Sequence, residues 1–302
     1  MAFQYLTNMP LEQAREAYIS VLKEQGFQAP AETVPVTEAC GRITASAVYA
    51  HISAPHYLAS AMDGIALRCS LTFGATETTP VTLHHGDYIA VDTGDPIPDG
   101  CDAVIMVEDV IMQEDGTARI YESAVPWHHI RQIGEDICAG EMILPAHMTV
   151  TPSAVGAMLA AGVLRIDVLK RPLVGIIPTG DEIIPPSADP GPGDIIEFNS
   201  SIFTAMLKEW GAEPKTYPIV PDNRERLYQA LKDALEECDS VLLIAGSSAG
   251  REDYSAEIIA ELGTVVCHGI AIKPGKPAIL AHSAEKAILD REEHTSELQS
   301  RI

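Results

Sequence analysis

Acids and lysines placed just past short apolar runs are the residues of this chain best suited to chemistry. Val241-Leu242-Leu243-Ile244-Ala245 is an apolar run of strand length that ends at Gly246. That is the pattern of a strand buried on both faces of a parallel sheet. The small residues Gly246-Ser247-Ser248-Ala249-Gly250 follow, then Asp253 and a helical pattern through Ile258, Ile259 and Leu262. Strand, small-residue loop and helix start together present free backbone N–H groups to an anion. Downstream, Lys273-Pro274-Gly275-Lys276-Pro277 carries two cations on a turn stiffened by proline. Upstream, the run Leu173-Val174-Gly175-Ile176-Ile177-Pro178 ends in Thr179-Gly180-Asp181-Glu182, and a further run ends in Pro221-Asp222-Asn223. Neither glycine turn is a Walker loop or a dinucleotide fingerprint.

These residues need a scaffold that brings strand ends together. Strands near 173, 216, 241 and 264 with helices between them predict a right-handed, doubly wound α/β sheet. Glu182, Asp222 and Asp253 then sit at the carboxyl ends of three strands, where open α/β sheets bind ligands. Two carboxylates about 4 Å apart repel by roughly 4 kcal/mol at an effective dielectric near 20. Three acids in one mouth must therefore separate, hold protons or bind a cation. Magnesium suits, because it takes carboxylate oxygens while keeping water and phosphate ligands. Lys273 and Lys276 meet the opposite need, positive charge for an anion. The plainer alternative, a rim of solvated acids that never meet, stays open at this point.

A chain of 302 residues predicts about two domains. Net charge is -23, with 43 acids against 20 bases. Such an excess repels phosphate backbones and anionic lipid, so no nucleic-acid or membrane partner is expected. No basic region followed by an apolar run opens the chain, and no apolar stretch reaches spanning length, which reads as a cytoplasmic protein. The six cysteines are scattered without a close pair, against a CxxC metal or redox site. Residues 11–25 predict an amphipathic helix with Pro10 in its first turn, Gly26 as its stop, and Ala14, Ala17, Tyr18, Val21 and Leu22 as its apolar stripe. That stripe could cap its own domain or pack on a second subunit. From 67 to about 130 the chain reads as β-rich, with turns at Asp99-Gly100 and Asp115-Gly116. The pairs His84-His85 and His128-His129 are poor chelators if each lies in a strand, where neighbours point to opposite faces.

Six landmarks in order now carry a resemblance: Ser60-Ala61-Met62-Asp63-Gly64, Thr93-Gly94-Asp95-Pro96, Gly134-Glu135-Asp136-Ile137, Thr179-Gly180-Asp181-Glu182, Gly250-Arg251-Glu252-Asp253-Tyr254 and Ile272-Lys273-Pro274-Gly275-Lys276-Pro277. The chain resembles the molybdopterin molybdenumtransferases, which include the matching domain of gephyrin. The resemblance implies a multidomain, elongated homodimer: an α/β plus β-rich chain with a doubly wound molybdopterin-binding sheet domain. Its implied boundaries are 1–52 with 132–171 for a helix and linking domain, 53–131 for an inserted β-rich domain, and 172–289 for the sheet domain. The implied reaction inserts molybdenum from molybdate into adenylylated molybdopterin with release of AMP. In that reading Gly246, Ser247, Ser248 and Gly250 cradle the pterin phosphate, with Thr179 beside them. Asp222, Asp253 and Glu182 hold Mg2+ or position ligand and water, while Lys273 and Lys276 bind anionic oxygens. Asp63, Thr93 and Asp136 complete the site from the partner subunit.

The sequence departs from the family in places. Ile65 stands where a tyrosine usually follows the glycine, and the Gly246–Gly250 loop lacks the usual Gly-Gly pair. Residues 291–300, REEHTSELQS, resemble the translation of a common sequencing adapter. A non-native tail over 290–302 is therefore expected, with the family's C-terminal β-domain missing, ligand binding weakened and turnover lost. Two other functions compete: an ATP-dependent molybdopterin adenylyltransferase step, and a non-catalytic carrier or sensor of molybdate or pterin. The adenylyltransferases lack the Met62-Asp63-Gly64 region, which favours the first reading.

Overall fold

A computed structural model of the chain describes residues 8–187, 189–244, 254–272 and 277–291. Two units form, one of residues 1–31 with 169–302 and one continuous from 32 to 168. The five helices among the described residues are α1 (Leu11–Glu24), α2 (Pro152–Ala160), α3 (Asn199–Glu209), α4 (Arg224–Glu237) and α5 (Ser255–Leu262).

The first unit is built on a six-stranded sheet. Its strands are β1 (Leu173–Pro178), β2 (Glu213–Thr216), β3 (Ser240–Ile244), β4 (Thr264–His268), β5 (Ile279–Ser283) and β6 (Lys286–Arg291), in spatial order β2-β1-β3-β6-β5-β4. β1 pairs in parallel with β2 and β3, and β3 in parallel with β6. Only β5 runs the other way, antiparallel to both β4 and β6. Helices cover both faces, as the doubly wound expectation requires. Leu227, Leu231 and Ala234 of α4 and Ile258 and Ile259 of α5 pack on Val241, Leu243 and Ile288. On the opposite face Ala14 and Tyr18 of α1 meet Leu280 and Ala287.

Two boundaries are corrected. The N-terminal helix does not join the linking domain, because its stripe docks on the face of the sheet over β4, β5 and β6. Tyr18 anchors it, its buried hydroxyl lying 2.8 Å from Ala281 O and 3.0 Å from Ile288 O. Asp290 and Arg291, expected in a non-native tail, are the last two residues of β6 and pair with Leu243 and Ile244. The β5–β6 hairpin places a new strand between β3 and the edge, where the sequence reading had β4 as the fourth and last strand.

The second unit has three cores among the described residues, a small one being Ala66, Val91, Val104 and Ile130. Another gathers Val36, Val48, Val150, Met158 and Val168 around α2. Thr151 caps that helix by accepting the Ala154 N–H on its hydroxyl, with Pro152 in the first turn. The largest core of the β-rich part gathers Ile65, Leu67, Leu83, Ile105 and Ile120. There Gly64–Leu67 is flanked antiparallel by Tyr88–Val91 and Ala103–Met106, and Ala118–Ile120 by Val81–Leu83 and Val110–Met112. Asp115-Gly116 closes a hairpin between Val110–Met112 and Ala118–Ile120. Asp99-Gly100 does not, since the strands on either side of it both pair with Gly64–Leu67.

Candidate functional site

In the sheet unit the carboxyl ends of β1, β2 and β3 are tied together. The Thr179 N–H donates to Ile244 O at 2.8 Å, and its hydroxyl donates to the same oxygen at 3.1 Å. Thr179 is 3% exposed. Its hydroxyl proton is thus engaged in locking β1 to β3. Gly180 has φ +138°, and a Cβ there would meet Ile183 Cγ1 at 2.7 Å and Glu182 Oε2 at 3.0 Å. Only glycine fits that turn, with the Glu182 carboxylate folded over its Cα. The Asp222 N–H donates to Asp181 Oδ1 at 3.1 Å, joining the turn after β1 to the stretch after β2.

A pocket of about 600 Å³ opens at these ends. Prolines dominate its wall, and Asp181, Glu197 and Tyr217 contribute to it. Sequence reasoning gave no role to Asp181 or Glu197. Asp181 stood beside the named Glu182, and spacing alone does not say which of two adjacent acids faces Asp222. Glu197 precedes a helix start, and an acid three residues before a first-turn amide is a signal for capping. Gly246, Ser247, Ser248, Gly250, Asp253, Lys273 and Lys276 lie outside the described residues. Among the described residues no group of three His, Cys, Asp or Glu side chains could hold a metal ion. Glu182 and Asp222 offer hard oxygens of the kind magnesium takes, but do not by themselves form a cage.

The 32–168 unit assembles the acids expected from a partner subunit. Asp63 Oδ1 accepts the Thr93 N–H at 2.6 Å and the Thr93 hydroxyl at 2.8 Å. The backbone donor, then the hydroxyl, holds the Asp63 carboxyl below its usual range. The turn bearing Thr93 is docked by Gly94 N–H to Ser60 O at 2.9 Å and Ser60 N–H to Asp95 O at 2.8 Å. Gly64 follows Asp63 because a Cβ would sit 2.0 Å from Ile105 O. Asp136 accepts from Arg131 at 2.7 Å, and Arg131 also pairs with Glu135 at 3.4 Å. Arg131 is carried by the strand Ile130–Arg131, paired to Ala59–Ser60. Asp63, Thr93 and the Arg131–Asp136 pair thus hang on one small framework.

The strand argument about His128 and His129 fails. Their rings stack with centroids 3.9 Å apart, because Trp127 and His129 adopt positive φ of 68° and 54° and the segment turns.

Comparison with known proteins agrees with this geometry. The model of the MoeA N-terminal region (domains I and II) matches residues 9–162, and that of a probable molybdopterin binding domain matches 175–295. The chain belongs to the MoeA family of molybdopterin molybdenumtransferases. A putative molybdopterin biosynthesis protein of Methanocaldococcus jannaschii is 33% identical over 286 residues, covering 89% of this chain and 71% of its own. The molybdopterin molybdenumtransferase of Haemophilus influenzae is 31% identical over 280 residues, covering 89% and 69%. The crystal structure of a MoeA molybdopterin biosynthesis protein from Pyrococcus horikosii superposes with TM-score 0.81 and 30% identity over 95% of this chain and 75% of that one. In MoeA terms, the pocket lies inside the molybdopterin-binding match, and the Asp63–Thr93 pair inside the N-terminal match.

Proposed function

We propose that this chain is a transferase of molybdenum cofactor biosynthesis, inserting molybdenum from molybdate into adenylylated molybdopterin with release of AMP. One observation carries the reading: the match to a molybdopterin-binding domain spans 175–295, and within it the strand-end turns, joined through Asp181 and Asp222, frame the pocket. The match over 9–162 includes Asp63 and Thr93 and speaks against an adenylyltransferase, which lacks that region.

Residue roles follow from chemistry. The small-residue loop 246–250 receives the phosphate on its backbone N–H groups. Lys273 and Lys276 neutralise anionic oxygens, and Glu182 positions molybdate or water. Asp222 and Asp253 are assigned to magnesium, which would supply charge for the phosphate oxygens; no step is derived through it. Asp63, already ionised well below neutral pH, offers a fixed negative charge to the neighbouring subunit's site, with Thr93 orienting it and Asp136 assigned to the same site. A homodimer is supported by exposed apolar residues on the 32–168 unit: Tyr49 and Met142, directly opposite on paired strands, are 52% and 50% exposed. No helix among the described residues is long and apolar enough to cross a membrane, and we assign the protein to the cytoplasm with the soluble substrates.

Asp253→Ala and Lys273→Ala should each abolish molybdate-dependent AMP release from adenylylated molybdopterin. Wild-type rates in both would remove the assignment. Calorimetric binding of the adenylylated pterin without AMP release from the wild type would support a carrier instead.

A further inference from the structure

The pocket at the ends of β1 and β2 is short of hydrogen-bond donors. Pro178, Pro185, Pro186, Pro218 and Pro221 line it, and proline has no N–H to offer. Glu197 belongs to the same lining and is only 7% exposed. Its Oε1 accepts the Ser200 N–H at 2.7 Å in the first turn of α3. No second donor reaches this carboxylate among the described residues. Asp181, the other acid of the wall, already takes the Asp222 N–H on one oxygen. A charged oxygen removed from most of its water needs a donor. The five prolines of the wall supply none, and an occupant carrying donors meets that need.

Resting on the molybdopterin reading, we propose that Glu197 is a specificity-determining residue whose carboxylate accepts the adjacent ring N–H and amino group of a 2-amino-4-oxo-pyrimidine edge. A pterin carries that edge, two donors side by side, and a carboxylate matches it with two parallel hydrogen bonds. Adenine does not match, because its amino donor stands beside a ring acceptor that would face the carboxylate. The capping N–H occupies one lone pair of Oε1 and leaves the other, with both of Oε2, for the ring, so one side chain fixes the helix start and reads the ring.

The test compares pterin with lumazine, which has a carbonyl in place of the 2-amino group, using calorimetry or ligand fluorescence on the full chain. Wild type should bind pterin roughly ten- to a hundredfold more tightly than lumazine, the range lost when one partner of a charged hydrogen-bond pair is removed. Glu197→Gln keeps an oxygen for Ser200 and replaces the other with a donor, so its thermal unfolding should stay at the wild-type midpoint while the preference collapses. Glu197→Asp keeps the charge but withdraws it, and should lose the preference as well. Equal wild-type affinity for pterin and lumazine overturns the proposal even if the variants unfold. So does an unchanged preference in both variants, or a loss of AMP binding as large as that of pterin. Failure of the wild type to bind adenylylated molybdopterin at all would mark the failure of the functional reading instead.

Discussion

Gly64→Ala tests the packing that holds Asp63 in place. Gly64 pairs with Met106, and its neighbour Ile65 with Ile105, in the antiparallel strand alongside. An alanine Cβ would lie 2.0 Å from Ile105 O, 2.9 Å from Ile105 C and 3.1 Å from Met106 Cα. All three are backbone atoms, so no side chain can swing aside. To restore ordinary contact the strands must part by more than about 1 Å. Overpacking of this kind costs about 1–3 kcal/mol. One ladder hydrogen bond stretched past useful length adds about 0.5–1.5 kcal/mol. The sum is roughly 2–4 kcal/mol. Because two units need not unfold together, the probe must belong to one of them. The chain has two tryptophans, Trp127 in the 32–168 unit and Trp210 in the sheet unit. In a Trp210→Phe background, Trp127 fluorescence reports the affected unit alone. Its urea midpoint should fall by about 1–2 M at unchanged slope. A shift worth less than about 0.5 kcal/mol would show that the strands yield freely and that glycine is not required there.

Thr93→Val should raise the Asp63 pKa toward the ordinary value without reaching it, because the backbone donor remains. A carboxyl with a lowered folded pKa contributes stability above its unfolded pKa and loses it as pH falls through the folded one. The variant should therefore release the Thr93 turn at a less acidic pH, read by carbon NMR titration of the Asp63 carboxyl; an unchanged titration would count against the hydroxyl. Tyr18→Phe leaves Ala281 O and Ile288 O without its hydroxyl and should destabilise the sheet unit by about 1–2 kcal/mol, followed through Trp210. Burial pushes the Tyr18 phenol up, so it stays a donor and the effect should not vary between pH 6 and about 9. Thr179→Val removes the donor to Ile244 O and should cost about 1 kcal/mol in the same assay, with amide exchange rising in residues 240–244.

The strands Leu173–Pro178 and Ser240–Ile244 were legible because burial on both faces writes an unbroken apolar run. α1 was legible as a helix, but its partner was not: Ala14 and Tyr18 mark a buried stripe without saying what buries it. The β5–β6 hairpin was hidden for a different reason. Lys286–Arg291 carries charge at both ends, and the resemblance of the following residues to an adapter drew Asp290 and Arg291 out of the fold. Asp63 and Thr93 stand thirty positions apart in hydrogen-bond contact. No local pattern links them, and only family resemblance paired them beforehand. Glu197 and Asp181 escaped notice because pocket lining depends on how the turns after β1 and β2 fold back, which periodicity does not encode.

The Lys170 N–H donates to Pro30 O at 2.8 Å, so the chain leaves the sheet unit and re-enters it at neighbouring points. Everything from 32 to 168 is therefore spliced into a fold whose first helix waits for its last strands. Tyr18 and Ala281 are 263 positions apart. At ribosomal speed, the helix must keep its greasy side undocked for roughly ten to fifty seconds while the interrupting segment is made and matures alone. The newborn polypeptide is vulnerable during that interval, and a short tether replacing 32–168 would shorten it by nearly half.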